Sequence, residues 1–327
     1  MLSGLLFHGC AGIYSVVEFE VLEPATVSLP ESVKQLIILN RAPITMDAFE
    51  KEDAKGLTPE QLIILDTLII NNLNRGLFGV LQQSPIEEFR YPFWKSQRRS
   101  DTTALDDLVL TRREVAAICE EMEGDAILSL ESYSLDYERV VEYFSGSIAE
   151  VRTRYYEISS KIWWTIYLPG NPRPFDTYIL SDTLFFTEVL DGQVVNYHPT
   201  ARMLKEAFYT SGRRYGRYLV PIWVHTTRSL YRGREDSLKM AARQTDLGDW
   251  ERAYEIWEDL TASKDSTAVA KAYHNMAIYY ELEDNLDSAG YLLNMAIQYD
   301  SLDATCAYQE ELDIRILNRS ELYQQVR

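Results

Sequence analysis

The sequence predicts an α+β protein in two parts: an α/β domain with a mixed sheet and a long β-hairpin, then an all-α helical-repeat domain. Three observations lead there. Helix-start signatures and short apolar runs alternate through the first part of the chain. Two long stretches rich in β-branched and aromatic residues flank a Gly-Asn-Pro turn. From residue 233 onward Ala, Leu, Tyr, Asp and Glu displace Gly and the β-branched residues. The expected divisions are a short apolar segment at 1–10, a strand and linker at 11–30, the α/β domain at 31–232 and the helical domain at 233–327. A chain of 327 residues is long enough to bury two cores.

The elements follow in order. Residues 16–22 alternate, with Val17, Phe19 and Val21 on one side and Glu18 and Glu20 on the other, which is the pattern of a half-buried strand. Residues 36–39 are wholly apolar, as in a buried central strand. Thr58-Pro59-Glu60-Gln61 supplies an N-cap, a Pro at the first helical position and a capping-box Gln. Leu62, Leu65, Ile69 and Leu73 form the stripe of that helix, and Gly76 is expected to end it. Residues 78–81 then read as a strand, and the stretch through Lys95, Arg98 and Arg99 as a polar, basic loop.

Thr111-Arg112-Arg113-Glu114 is a second capping box. Its helix buries Val115, Ile118, Cys119 and Met122 and stops at Gly124. Residues 126–133 are the next strand. Residues 151–168 and 175–189, joined through Gly170-Asn171-Pro172, form the long antiparallel hairpin. A helix from 201 to about 218 runs up to Pro221, and 222–231 read as one more strand.

In this domain the segment 115–119 leads into Gly124-Asp125-Ala126-Ile127-Leu128-Ser129-Leu130. That run resembles the helix, turn and strand of the TolB amino-terminal-like and CsgG-like envelope domains, over about residues 31–220. Some CsgG-like domains assemble into rings, so the resemblance implies a homo-oligomer with the 151–189 hairpin as a contact. Arg152, Arg154 and Lys161 on the hairpin's outward face do not suit a lipid-facing pore strand.

The helical tail repeats itself. Gly248-Asp249-Trp250-Glu251-Arg252-Ala253 aligns with Asp284-Asn285-Leu286-Asp287-Ser288-Ala289, and the two alanines lie 36 apart. The spacing is near the ~34 of a tetratricopeptide repeat. Tyr273, Met276, Ala277 and Tyr280 fall at the signature positions of that repeat's first helix, and Ala289, Leu293 and Ala296 at those of its second. Residues 302–317 follow as a capping helix. Two units are fewer than the three or so that are self-stable, so the tail is expected to lean on the α/β domain or on a partner.

At the N-terminus, the apolar run from Leu2 to Phe7 is followed by His8, Gly9 and Cys10. This resembles the end of a bacterial lipoprotein signal, in which the cysteine becomes the lipidated first residue. The run is shorter than usual and no Lys or Arg precedes it. No acidic run follows Cys10, which points to the periplasmic side. With the tail reading Ala272-Tyr273-His274-Asn275-Met276-Ala277, the whole chain resembles an uncharacterised family of Bacteroidetes envelope lipoproteins with tetratricopeptide tails. That likeness implies an envelope address, a membrane contact through a lipid on Cys10, and no catalytic residues.

Charge and motifs set the function classes. With 32 basic and 50 acidic residues the net charge is −18, which excludes a general nucleic-acid binder. Residues 234–327 carry 9 basic and 19 acidic groups, more than half of that excess. Cys10, Cys119 and Cys306 are too scattered for a disulfide framework or a Cys-based metal site, and the four histidines show no ligand spacing. Neither a phosphate-loop motif nor a nucleophile elbow is present, so no catalytic residue, metal or cofactor is assigned.

Two surfaces remain. Trp250, Tyr273, Asn275 and Tyr280 are the expected lining for a protein or peptide partner on the helical repeats. Arg202, Lys205, Arg213, Arg214 and Arg217 form a basic patch on one helix, suited to the acidic tail or to phospholipid headgroups. The leading expectation is a lipid-anchored, periplasm-facing interaction protein without catalysis. The alternative is an envelope hydrolase with a cleft in the α/β domain.

Overall fold

In a computed structural model the protein is described for residues 14–44, 58–85, 90–99, 109–145, 150–190, 200–233 and 235–326. The elements in chain order are β1 (Tyr14–Glu23), β2 (Gln35–Asn40), α1 (Pro59–Leu81), β3 (Arg90–Ser96), α2 (Arg112–Met122), β4 (Ala126–Ser145), β5 (Glu150–Tyr167) and β6 (Asp176–Leu190). They continue with α3 (Ala201–Leu219), β7 (Ile222–Tyr231), α4 (Asp236–Asp246), α5 (Trp250–Leu260), α6 (Ser266–Leu282), α7 (Leu286–Tyr299) and α8 (Asp303–Gln325). The protein is of mixed α+β class, with two sheets among the described residues. It divides into two compact units, Ala25–Ile222 with Gln325–Arg327, and Met1–Pro24 with Trp223–Gln324. In this division the first strand groups with the later segment.

The larger unit is a five-stranded mixed sheet in the order β3-β2-β4-β5-β6. β3, β2 and β4 are parallel, and β4, β5 and β6 form an antiparallel meander. The expected hairpin is β5 with β6, turning at Gly170 in a left-handed conformation. β4 runs 20 residues rather than ending near 133, and pairs with β5 along its length. α1 and α3 cover one face, where Ile38, Ile69, Leu73, Leu128, Trp164, Phe208 and Tyr215 form the main core. α2 covers the other face through Val115, Ile118 and Cys119 against Ile37, Leu39 and Ile127. Both predicted capping boxes are present, Thr58 with Gln61 and Thr111 with Glu114.

Two expectations are corrected here. Gly76 does not end α1, which continues to Leu81, so the strand at 78–81 does not exist. The glycine serves packing instead: a Cβ on Gly76 would lie 2.0 Å from the Tyr209 carbonyl oxygen of α3, and one on Gly212 would lie 2.0 Å from that of Leu73. The two helices touch backbone to backbone. The second correction is at 90–96, where part of the expected basic loop is the edge strand β3, parallel to β2. Pro92 lacks an N–H and weakens the strand signal, and an edge is where a sheet tolerates it.

The smaller unit is helical but not all-α. β1 and β7 make a two-stranded ribbon. The Tyr14–Tyr231 ring contact at 4.8 Å and the Glu20–His225 contact at 3.4 Å give it an antiparallel sense. β7 is therefore not a strand of the large sheet. Glu18 and Glu20 face solvent while Val21 is buried, as the alternation predicts.

Helices α4 to α8 carry a local geometry that recurs at a spacing of 36. Gly248 and Asp284 both have positive φ, +80° and +55°. Asp249 N–H donates to the Gln244 carbonyl at 2.9 Å, and Asn285 N–H to that of Tyr280 at 2.8 Å. Asp249 and Asn285 then cap α5 and α7 through the N–H three residues on. Ala253 and Ala289 are fully buried, as are Trp257 and Leu293.

Candidate functional site

Cys10 lies outside the described residues, as do His8 and His198. Among the described residues no helix is long and apolar enough to cross a membrane, and no group of three His, Cys, Asp or Glu could hold a metal ion. Cys119 is buried, which pushes its thiol up to about 11, so it is no nucleophile at neutral pH.

The structure divides the four residues expected to line a partner surface. Trp250 is half-buried, 6.4 Å from the buried Trp257. Tyr273 is half-buried and stacks on Tyr299 at 5.7 Å. Tyr280 is half-buried in a trio with Tyr254 and Tyr279, with ring centroids 5.2–5.7 Å apart. The Tyr254 and Tyr280 hydroxyls lie 3.4 Å apart.

Asn275 is different: it is fully buried, and so no partner reaches it. Its Oδ1 accepts from the Tyr231 N–H at 2.9 Å, and its Nδ2 donates to the Tyr231 carbonyl at 2.8 Å. The amide completes β7 as a neighbouring strand would. His274, which helical spacing puts on an outer face, is also buried. Its Nε2 faces the Ser229 carbonyl at 2.8 Å, which cannot donate, so Nε2 carries the proton and Nδ1 accepts from the Thr305 hydroxyl at 3.0 Å. Burial pulls its pKa down to about 4. β7 covers this face of α6, and the periodicity of α6 alone cannot register that cover.

A second consequence of β7 is Arg228, buried and donating from Nε and Nη2 to Glu281 at 2.8 and 2.9 Å. Arg315 also donates to Glu281, and Arg228 lies 4.6 Å from the centre of the Tyr308 ring. These groups satisfy one another and hold β7, α6 and α8 together.

Of the basic patch, Arg202, Lys205, Arg213, Arg214 and Arg217 are all solvent-facing on α3. Arg202 lies 3.9 Å from Glu206, one helical turn on. Arg214 is drawn to the buried Asp182 on β6, so it serves the sheet rather than the patch.

The larger unit holds a polar cluster that sequence reading did not find. β2 leads through α1 to β3 on one side, and β3 returns through α2 to β4 on the other side of β2. In open α/β sheets this reversal is the usual ligand position, at the carboxyl ends of the strands. There Arg41 donates to Glu131 at 3.0 Å, Arg99 lies 3.4 Å from the same carboxylate, and Tyr167 donates to it at 3.0 Å. Arg98 grips Asp66 with both terminal nitrogens, and Tyr133 donates to Asp66 as well.

Burial and the Glu131 charge push Tyr167 up to about 12, while burial and then Asp66 raise Tyr133 further. Asp66 stands on α1 and meets Tyr133 of the main core, whereas Tyr167 packs with the α2-side residues. The carboxylates thus occupy opposite faces of the sheet, each held by arginine. The available signal is Arg41 directly after the apolar run of β2; Arg98 and Arg99 do lie in the expected basic loop, but only the parallel pairing of β3 with β2 brings that loop to Arg41.

Comparison with known proteins gives two family matches, one described as a domain of unknown function (DUF8603) over residues 33–231 and one described as a domain of unknown function (DUF6340) over residues 239–313. No curated protein matches. Among solved structures, a neuraminyllactose-binding hemagglutinin homolog from Helicobacter pylori is similar at 12% identity over 72% of this chain and 94% of that chain. Its TM-score of 0.27 carries no conclusion about ligand or partner. The first family match takes in more than half of the sequence, and the chain belongs to the DUF8603 family.

Proposed function

We propose that this is a lipid-anchored, periplasm-facing interaction protein of the bacterial cell envelope, binding a protein or peptide partner on its helical unit and catalysing no reaction. The observation that carries the reading is the half-exposed aromatic surface of α5 and α6, with Trp250, Tyr254, Tyr279 and Tyr280. Tyrosine and tryptophan contribute large contact area at low entropy cost and recur at interaction hot spots. The recurrent turn, cap and buried alanine at a spacing of 36 support reading α4–α5 and α6–α7 as two tetratricopeptide-like units. The buried carboxylates Asp66 and Glu131 are each already paired with arginine, which favours a structural role for them over the hydrolase alternative.

The anchor rests on the Leu2–Cys10 run, and membrane fractionation tests it. Wild type expressed in a bacterial envelope is expected in the membrane fraction and Cys10→Ala in the soluble periplasmic one; identical fractionation would remove the anchor. Affinity purification from envelope fractions, with wild type beside a Tyr254→Ala/Tyr280→Ala double variant, tests the partner surface. A partner retained equally by both would move the binding site elsewhere.

A further inference from the structure

The tyrosine trio has a chemically distinctive rim. Tyr254 lies on α5, with Tyr279 and Tyr280 on the last turns of α6. Burial, and after it the charges of Glu251 and Glu283, raises the Tyr279 phenol; burial, then the Tyr280 hydroxyl and then Glu258, raises that of Tyr254. Glu251, Glu258 and Glu283 are all exposed, and no salt bridge engages them among the described residues. Neighbouring Arg252 is turned to Glu255, and Lys271 to Glu235. The surface therefore combines electron-rich ring faces with uncompensated negative charge, within a segment (residues 234–327) whose own net charge is −10. Those two properties select the same occupant, because a cation over a tyrosine face gains from the ring quadrupole as well as from the carboxylates.

We propose that Tyr254, Tyr279 and Tyr280, rimmed by Glu251, Glu258 and Glu283, dock a basic segment of a partner protein by seating an arginine or lysine side chain on the ring faces. This rests on the reading of the helical unit as the partner surface and adds the chemistry of what binds there. The ring centroids are already in mutual contact, so the cation lies across the exposed faces rather than inside a cage. Guanidinium is preferred to ammonium, because its plane stacks on a ring while its edge donates to the carboxylates.

The test uses the full chain and a fluorescent nonapeptide carrying four arginines, with a four-glutamate nonapeptide as control, read by anisotropy at low and physiological salt. The basic peptide is expected to bind and the acidic one not, with affinity falling as salt rises. Tyr279→Ala and Tyr280→Ala are expected to weaken binding by about 5-fold or more, whereas Tyr279→Phe, which keeps the ring face, retains it. Glu251→Gln with Glu283→Gln should weaken it a few-fold on electrostatic grounds. Equal binding of both peptides, or undiminished binding by correctly folded Tyr→Ala variants, overturns the proposal. A partner captured from the envelope and lost in Tyr254→Ala/Tyr280→Ala, with no Arg-peptide binding, overturns the basic-segment proposal while leaving the interaction role standing.

Discussion

At the scale of single residues, Asn275 and His274 show how a strand can convert surface positions into structural ones. Both occupy positions on α6 that helical spacing leaves outward, and both are consumed by β7. Asn275→Ala is expected to cost about 2–4 kcal/mol in urea unfolding, because it strands both backbone groups of Tyr231; a loss below about 0.5 kcal/mol would mean water replaces the amide. His274 makes the smaller unit sensitive to acid. Its folded pKa is about 4, below the ~6.5 of the unfolded chain, so above pH ~6.5 it is neutral in both states and has no effect. Between there and pH ~4 only the unfolded chain takes up the proton, and stability falls by about 3 kcal/mol in total. Unfolding free energies measured across that range should show a shallower slope for His274→Gln than for wild type.

At the scale of elements, the glycines of α1 and α3 carry opposite instructions that composition does not distinguish. Gly76 and Gly212 are required by backbone contact between the helices, whereas a Cβ on Gly79 meets nothing within 4 Å. Gly212→Ala is therefore expected to destabilise by about 3 kcal/mol through overpacking, and Gly79→Ala to stabilise by about 0.5–1 kcal/mol through helix propensity. Thermal unfolding of the pair checks both signs together. A helix-ending glycine and a helix-crossing glycine look alike in one dimension, which is why α1 reads as too short. The capping boxes were legible, because Thr58 with Gln61 and Thr111 with Glu114 act within four consecutive residues.

At the scale of the whole molecule, the chain's first strand belongs with its last segment. β1 pairs with β7 beside α4 to α8, so residues far apart in sequence share one core. Deleting residues 14–23 is expected to raise amide exchange in α6 and α8 while leaving β4 and β5 protected. Unchanged protection in α6 would contradict the grouping.

The division of labour between sequence and fold follows from range. Local signals within about one turn or one strand sufficed for both capping boxes, the apolar β2, the alternation of β1 and the Gly170 turn, and the alignment of 248–253 with 284–289 marked where the two helix starts recur, though not their caps. The aromatic surface was half legible: Tyr280 and Trp250 came from repeat position, while Tyr254 and Tyr279 emerged only once α5 and α6 were placed side by side. What the tertiary structure alone decided is everything that depends on which element lies across the way. That includes β3 at the sheet edge, Gly76 and Gly212 at a helix contact, the arginine-held Asp66 and Glu131 on opposite faces, and β7 over α6. A residue's spacing along the chain records the period of its own element, but its burial and hydrogen-bond partners are set by a neighbour the chain reaches only after tens to hundreds of residues.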